Sequence, residues 1–265
     1  MLALTPLAAA EQKRPQTEID LAFAKLYDLD FPGAHRILDE YIAKDPVDPL
    51  AEAVSAAAYM FQEFHRMKIL ETEFLTNDKK VSDKKKSIDP DPVVRKNFLG
   101  ALDRTQTKAQ NVLNGQPGDA KALFAMSLRY GLQSDYNSLV EKKQWASFTL
   151  MKTSNEFGVK LLQQHPDYVD AYLTSGMTEY IVGSLPFFLR WFIKIDGVEG
   201  TKEAARIKLE RVSTSGRYLE PFAKILLALY WVREKQPRSA IPLLTELSSR
   251  FPNNTLYRSE LAKLR

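Results

Sequence analysis

The sequence contains no cysteine, which excludes disulfides, thiolate zinc sites and cysteine nucleophiles. Histidine is nearly as scarce. His35, His65 and His165 stand far apart, without the helical spacing that lets two imidazoles share a metal, so structural roles are expected. The glycines form neither a GxGxxG fingerprint nor a phosphate-cradling loop, and Gly197-Val198-Glu199-Gly200 reads as a turn. No segment has the roughly 20 apolar residues that a membrane helix needs. A dense basic stripe is missing too: the net charge is only +4, which gives little support for nucleic-acid binding. The one lysine cluster, Lys79, Lys80, Lys84, Lys85 and Lys86, lies between Asp78, Asp83 and Asp89 and reads as a solvated loop. Pairs such as Asp39-Glu40 read as solvated helix faces, because acid–base catalysis needs a cleft and a shifted pKa. No cofactor, metal or catalytic role is assigned, and the expectation is a protein that binds another molecule.

What the chain does contain is helix-forming sequence. Apolar residues make up 45% and charged residues 26% of its 265 positions, ordinary values for a globular protein. Ala, Leu, Lys, Glu and Gln dominate, and β-branched residues are not concentrated in alternating runs, so helix is expected nearly throughout. The start, Met1 to Arg14, carries a short apolar run and Ala8-Ala9-Ala10. It reads as the remnant of a secretory signal or as a disordered N-terminus. Export to a periplasmic compartment is the expectation on the first reading and a cytoplasmic location on the second. Residues 15–265 are expected to form one domain.

Taken in order, a first helix is expected from Thr17, which can cap it ahead of Glu18 and Asp20. Asp30-Phe31-Pro32-Gly33 reads as a turn, and a second helix runs from Ala34 to Asp45-Pro46. Leu50 to Leu75 reads as one long helix, followed by a Lys/Asp-rich loop over Thr76 to Pro92. Further helices are expected over Val93 to Leu113, Ala120 to Asp135, and Leu139 to Gln164 as one or two pieces. Three more are written between Ser184 and Trp231, and a last repeat closes at Pro252.

Four of these helices end on a proline, which cannot continue a helix and pushes the preceding residue out of the α region. They are Lys44-Asp45-Pro46, Gly115-Gln116-Pro117, Gln164-His165-Pro166 and Arg250-Phe251-Pro252. Asp48, Asp119 and either Asp167 or Asp170 follow as cap candidates. Ten residues beyond the prolines stand Ala56, Ser127, Gly176 and Ala262, all small. Twelve and eight residues before them stand Ala34 and Leu38, Thr105 and Ala109, Ser154 and Gly158, and Ala240 and Leu244. Small residues where paired helices cross and a proline at the end of each pair make up the tetratricopeptide signature. The prolines do not fall at multiples of about 34 residues, so the repeats are degenerate. The expected fold is all-α: an α-α superhelix of antiparallel helix pairs, a TPR-like solenoid with irregular, extended repeats.

Leu185-Pro186, the apolar run Phe187 to Ile195, the Gly197-to-Gly200 turn, the Leu-rich Ile225 to Trp231, and Ala240 to Pro252 follow one another in a fixed order. In this order the block from Gly183 to Pro252 resembles the eukaryotic tetratricopeptide family of the mitochondrial outer-membrane and inclusion-body-clearance type, here as an exported bacterial relative. The resemblance implies a helical superhelix with a non-catalytic interaction role, and it carries no catalytic residues across.

Two surfaces are candidates for the partner. In Leu185 to Ile195, Phe187, Phe188 and Trp191 leave only Arg190 and Lys194 for water. That pattern fits core packing, a helix docked in a protein groove, or a membrane-surface contact. The other surface is the inner face of the superhelix, with Lys121 and Phe124, then Asp170, Leu173, Met177 and Tyr180. Phe222, Ile225, Leu229 and Val232 in the last repeat are too apolar to face water, and the tail from Thr255 to Arg265 is expected to cover them. The expected function is a protein or peptide scaffold, with a lipid or apolar ligand at a membrane surface as the alternative.

Overall fold

The computed structural model describes residues 15–71, 88–184, 195 and 198–264, and every regular element within them is helical. Helix α1 (Glu18–Tyr27) opens on a capping box: Thr17 accepts from the Asp20 amide, and the Asp20 carboxylate takes the Thr17 amide at 2.7 Å. Helix α2 (Phe31–Lys44) begins earlier than the sequence suggests. Asp30 is its cap, accepting from the Gly33 amide, and Pro32 sits in the first turn, where no donor is missed. Helix α3 (Pro49–Arg66) is shorter than expected, because the chain turns at Met67 and Lys68 takes φ 59. Residues 72–87, which include most of the expected lysine-rich loop, lie outside the described residues. The two ends of that stretch are stapled by the buried Glu63, which binds Arg66 at 2.7 Å and the Asp91 amide at 2.8 Å.

Helices α4 (Pro92–Gly115), α5 (Ala120–Leu139) and α6 (Gln144–Gln164) follow, the last as a single helix. A 3₁₀ turn, Val169–Ala171, leads into α7 (Tyr172–Ser184), and α8 (Lys202–Ser215) and α9 (Glu220–Arg233) come next. A second 3₁₀ turn, Pro237–Ala240, precedes α10 (Ile241–Arg250), and α11 (Thr255–Lys263) closes the order. Neighbours in sequence are neighbours in space: α1 packs on α2, α3 on α4, α5 on α6, α7 on α8, and α9 on α10.

The four proline-ended helices share one turn. The residues before the prolines, Asp45, Gln116, His165 and Phe251, have φ between −135 and −126 and ψ between 72 and 81. Each donates its amide to the carbonyl four residues back, and each carbonyl accepts from the amide three residues on. Asp48, Asp119 and Asn254 then cap the next helix. In the third copy Tyr168 stands at the cap position and the 3₁₀ turn replaces the first helical turn. The eight positions twelve and eight before the prolines are all buried, as are Ala56, Ser127 and Gly176 after them. Their smallness has a steric cause. Ser127 and Ser154 bond reciprocally to each other's carbonyls at 3.0 and 2.6 Å, and a Cβ on Gly176 would meet Leu209 at 3.3 Å. Ala262, at the same register, is exposed on the last helix.

A different turn recurs elsewhere. Leu29, Lys68 and Lys235 take φ of 59 to 60 just beyond α1, α3 and α9. The next amide bonds back to Lys25, Phe64 or Trp231 in the six-to-one closure of a helix end. That position favours glycine, because a Cβ crowds the left-handed backbone. Replacing the exposed Lys235 by glycine is therefore expected to raise unfolding free energy by roughly 0.5 to 1 kcal/mol. Urea unfolding checks this, and a loss of stability in Lys235→Gly would contradict the turn assignment.

Candidate interaction surface

The structure places the inner-face candidates in three different environments. Phe124, Asp170 and Leu173 are buried, at 1%, 3% and 8% exposure. Their expected role as an open ligand surface is corrected, since the chain itself covers them. Lys121 is exposed, but its ammonium pairs at 2.8 Å with Asp48, the cap of α3, which also takes the Tyr41 hydroxyl. Met177 and Tyr180 are half-buried, and Tyr180 lies 5.5 Å from the Tyr230 ring with Lys202 above it. Phe187, Phe188, Arg190, Trp191 and Lys194 lie outside the described residues. Ile195, which ends that stretch, is buried against Met151 and Val182.

What covers Phe124 and Asp170 is the segment from Gly216 to Leu219. Asp170 accepts the amides of Arg217, Tyr218 and Leu219 at 3.0, 3.1 and 2.8 Å. Gly216 permits the approach, because a Cβ there would lie 2.7 Å from the Val212 carbonyl and 3.0 Å from Asp170. Held this way, Tyr218 stacks on Phe23 at 5.3 Å and on Phe124 at 6.2 Å, and its carbonyl takes the Tyr27 hydroxyl at 2.9 Å. Arg217 reaches Asp20 at 2.9 Å. Burial pushes the Asp170 carboxyl above its usual range, while the three amides and Arg217 pull it back.

Glu179 repeats the device at the turn before α8. Fully buried, it takes the amides of Glu199 and Gly200 at 2.8 and 2.5 Å and the Lys208 ammonium at 2.7 Å. Gly200 has φ 70, and a Cβ on Gly183 would meet the backbone of Lys202 at 2.9 Å. Of the turn read from the sequence, Gly200 takes a left-handed conformation that favours glycine, and Gly183 allows the close backbone approach beside it.

The last repeat is covered differently from the expectation. Phe222 packs edge-on against Phe61 of α3 at 5.7 Å, so α3 covers it. The tail goes elsewhere: α11 packs on α10, and Tyr257 and Asn254 both donate to the Tyr27 carbonyl. First and last helix pairs therefore meet.

One carboxylate in this region was missed by the sequence reading. Asp135 lies eleven residues beyond Phe124 and seven beyond Leu128, on the same stripe of α5. Among the described residues it has neither a hydrogen bond nor an ion pair, and burial alone pushes it up to about 7. Helical periodicity was the signal that could have placed it there.

No protein-family model matches the chain, and neither does any curated protein or solved structure. Among the described residues no helix is long and apolar enough to cross a membrane.

Two outcomes follow from these carboxylates. Asp170→Asn turns an amide donor toward backbone donors and strips acceptors from buried N–H groups, so urea unfolding should register a loss of roughly 2 to 4 kcal/mol. A loss under about 0.5 kcal/mol, the size of a surface change, would contradict the assignment. Asp135 has a folded-state pKa raised above its unfolded value, so its ionisation destabilises the fold as pH rises from about 4 through about 7. Asp135→Asn should therefore gain at least about 1 kcal/mol at neutral pH, with the gain vanishing below the unfolded carboxyl pKa. An equal effect at all pH values would count against it.

Proposed function

We propose that this chain is a non-catalytic scaffold of the tetratricopeptide type, an α-α superhelix of antiparallel pairs that binds a protein or peptide partner. The observation that carries the reading is the fourfold recurrence of one proline turn with nearly the same backbone angles. A recurring turn sets each helix pair in the same relation to the next, and repeat arrays built this way present extended surfaces. The first and last pairs add to this support. Leu29 and Lys235 take the left-handed conformation at the same distance before Pro46 and Pro252. The uneven proline spacing is absorbed in part by α3 to α6, which run from 18 to 24 residues against 10 to 14 in the first and last pairs, and the longest interval also holds the pair α7 and α8.

Met177 and Tyr180, with the exposed Lys121, are the inner-face candidates that stay partly open to a partner. The second reading, a lipid or membrane-surface ligand, draws on the apolar run from Phe187 to Lys194. The packing of Tyr218, Phe124 and Phe23 against one another weighs against an apolar ligand in that part of the interior.

Photo-crosslinking tests the scaffold reading in the full chain. A benzoyl-phenylalanine at Tyr180 or at Met177 is expected to give a discrete protein adduct in cells, and the purified partner should restore it saturably. No protein adduct at either site, together with lipid retained in native mass spectrometry, would contradict it in favour of the second reading.

A further inference from the structure

A cleft of about 530 Å³ opens on the flank of α4, with Tyr59 of α3 in its lining. Gly100 sits in it, in the interior of a 24-residue helix. A glycine there costs about 1 kcal/mol relative to alanine. The fold does not ask for it: a Cβ at Gly100 would meet only the end of the Arg104 side chain, at 3.3 Å, and its φ is not left-handed. A glycine that packing does not require leaves the space above it clear.

The lining is basic. Arg104 uses its Nε on Glu52 at 2.8 Å, and Arg95 uses one edge on Glu141. Both side chains remain about half exposed, at 53% and 43%. Among the described residues their remaining N–H groups have no hydrogen-bond partner, and the exposed Lys96 has no ion pair. Among the described residues Asp103 is the one acid in the lining. The rest of the cleft is suited to a ring or an aliphatic chain. Tyr59 is half-buried, lies tilted against His35 of α2 with ring centroids 4.2 Å apart, and lies near Leu99.

We infer that this cleft docks an acidic peptide segment of a partner protein. Its carboxylates would meet Arg95, Lys96 and Arg104, and one aromatic or aliphatic side chain would pack over Gly100 against Tyr59. Guanidinium groups with spare donors suit carboxylates, because their planar fork binds two oxygens at once. The complementarity of a basic cleft and an acidic segment would set specificity and on-rate, and it would weaken with salt. The inference rests on the scaffold reading and adds the place and the chemistry of the partner.

Two probe peptides test it on the ¹⁵N-labelled full chain, acetyl-Glu-Glu-Trp-Glu-Glu-amide and its lysine counterpart. The acidic peptide should shift the amides of residues 95–104 and of Tyr59, saturably and at least tenfold more tightly than the basic one. Lys96→Glu should weaken it several-fold. Gly100→Leu should abolish it while leaving the melting temperature equal or higher, since leucine is the better helix former. Equal binding of both peptides, undiminished binding to Gly100→Leu, or shifts confined to other residues would each overturn the assignment. So would failure of the acidic peptide to bind. Cross-linking at Tyr180 and Met177 decides the scaffold reading separately, so the two can fail independently.

Discussion

The fold depends on one buried carboxylate. Asp170 leaves water to accept three consecutive backbone amides, at Arg217, Tyr218 and Leu219. A buried charge is costly unless it is hydrogen-bonded, and buried amides are costly unless they find an acceptor. Each cost is met by the other group, and the result fixes where Tyr218 points. Through Tyr218 the start of α9 reaches α1 and α5 together. Without that fixed turn, the aromatic cluster of Phe23, Phe124, Tyr168 and Tyr218 has no reason to assemble.

Asp170 is one of several buried carboxylates with the same task. Glu179 holds the turn before α8, Glu63 holds the start of α4, and Asp48 joins α3 to Tyr41 and to Lys121. Each ties one helix to another element or turn, where apolar packing alone would leave register loosely set. The division of labour is then clear. Small residues at the helix crossings set how closely a pair can approach, the proline turns set how one pair follows the next, and the carboxylates fix the joints. Asp135 stands apart from this group: it is half-buried and gains no partner among the described residues.

The parts of the fold legible in the sequence obey local rules. The prolines at 46, 117, 166 and 252 mark helix ends because their rings forbid continuation whatever the context. Ala34, Thr105, Ser154 and Ala240 are buried because a small residue twelve positions before that turn always faces the paired helix. The closing of the chain on itself was not legible. The bond between Tyr27 and Tyr218 joins residues almost two hundred positions apart, and neither residue announces it. Asp170 looked like an acid near the start of a helix. Its burial comes from the approach of Gly216, which only the three-dimensional arrangement shows. Phe124 and Leu173 were expected on an open inner face, but both are buried within the chain. The local misreading at Pro32 has a simpler cause: a proline that ends one helix can equally begin another.

The most direct test of the account is amide hydrogen exchange at Arg217, Tyr218 and Leu219. These residues lie between two helices, where an ordinary turn exchanges quickly. If Asp170 holds them, their amides should exchange only with opening of the interior, about as slowly as amides in the middle of α5. Exchange at the rate of a free turn would show that the Asp170 contact does not hold this segment. It would also mean that the packing of Tyr218 on Phe23 and Phe124 is not held in place.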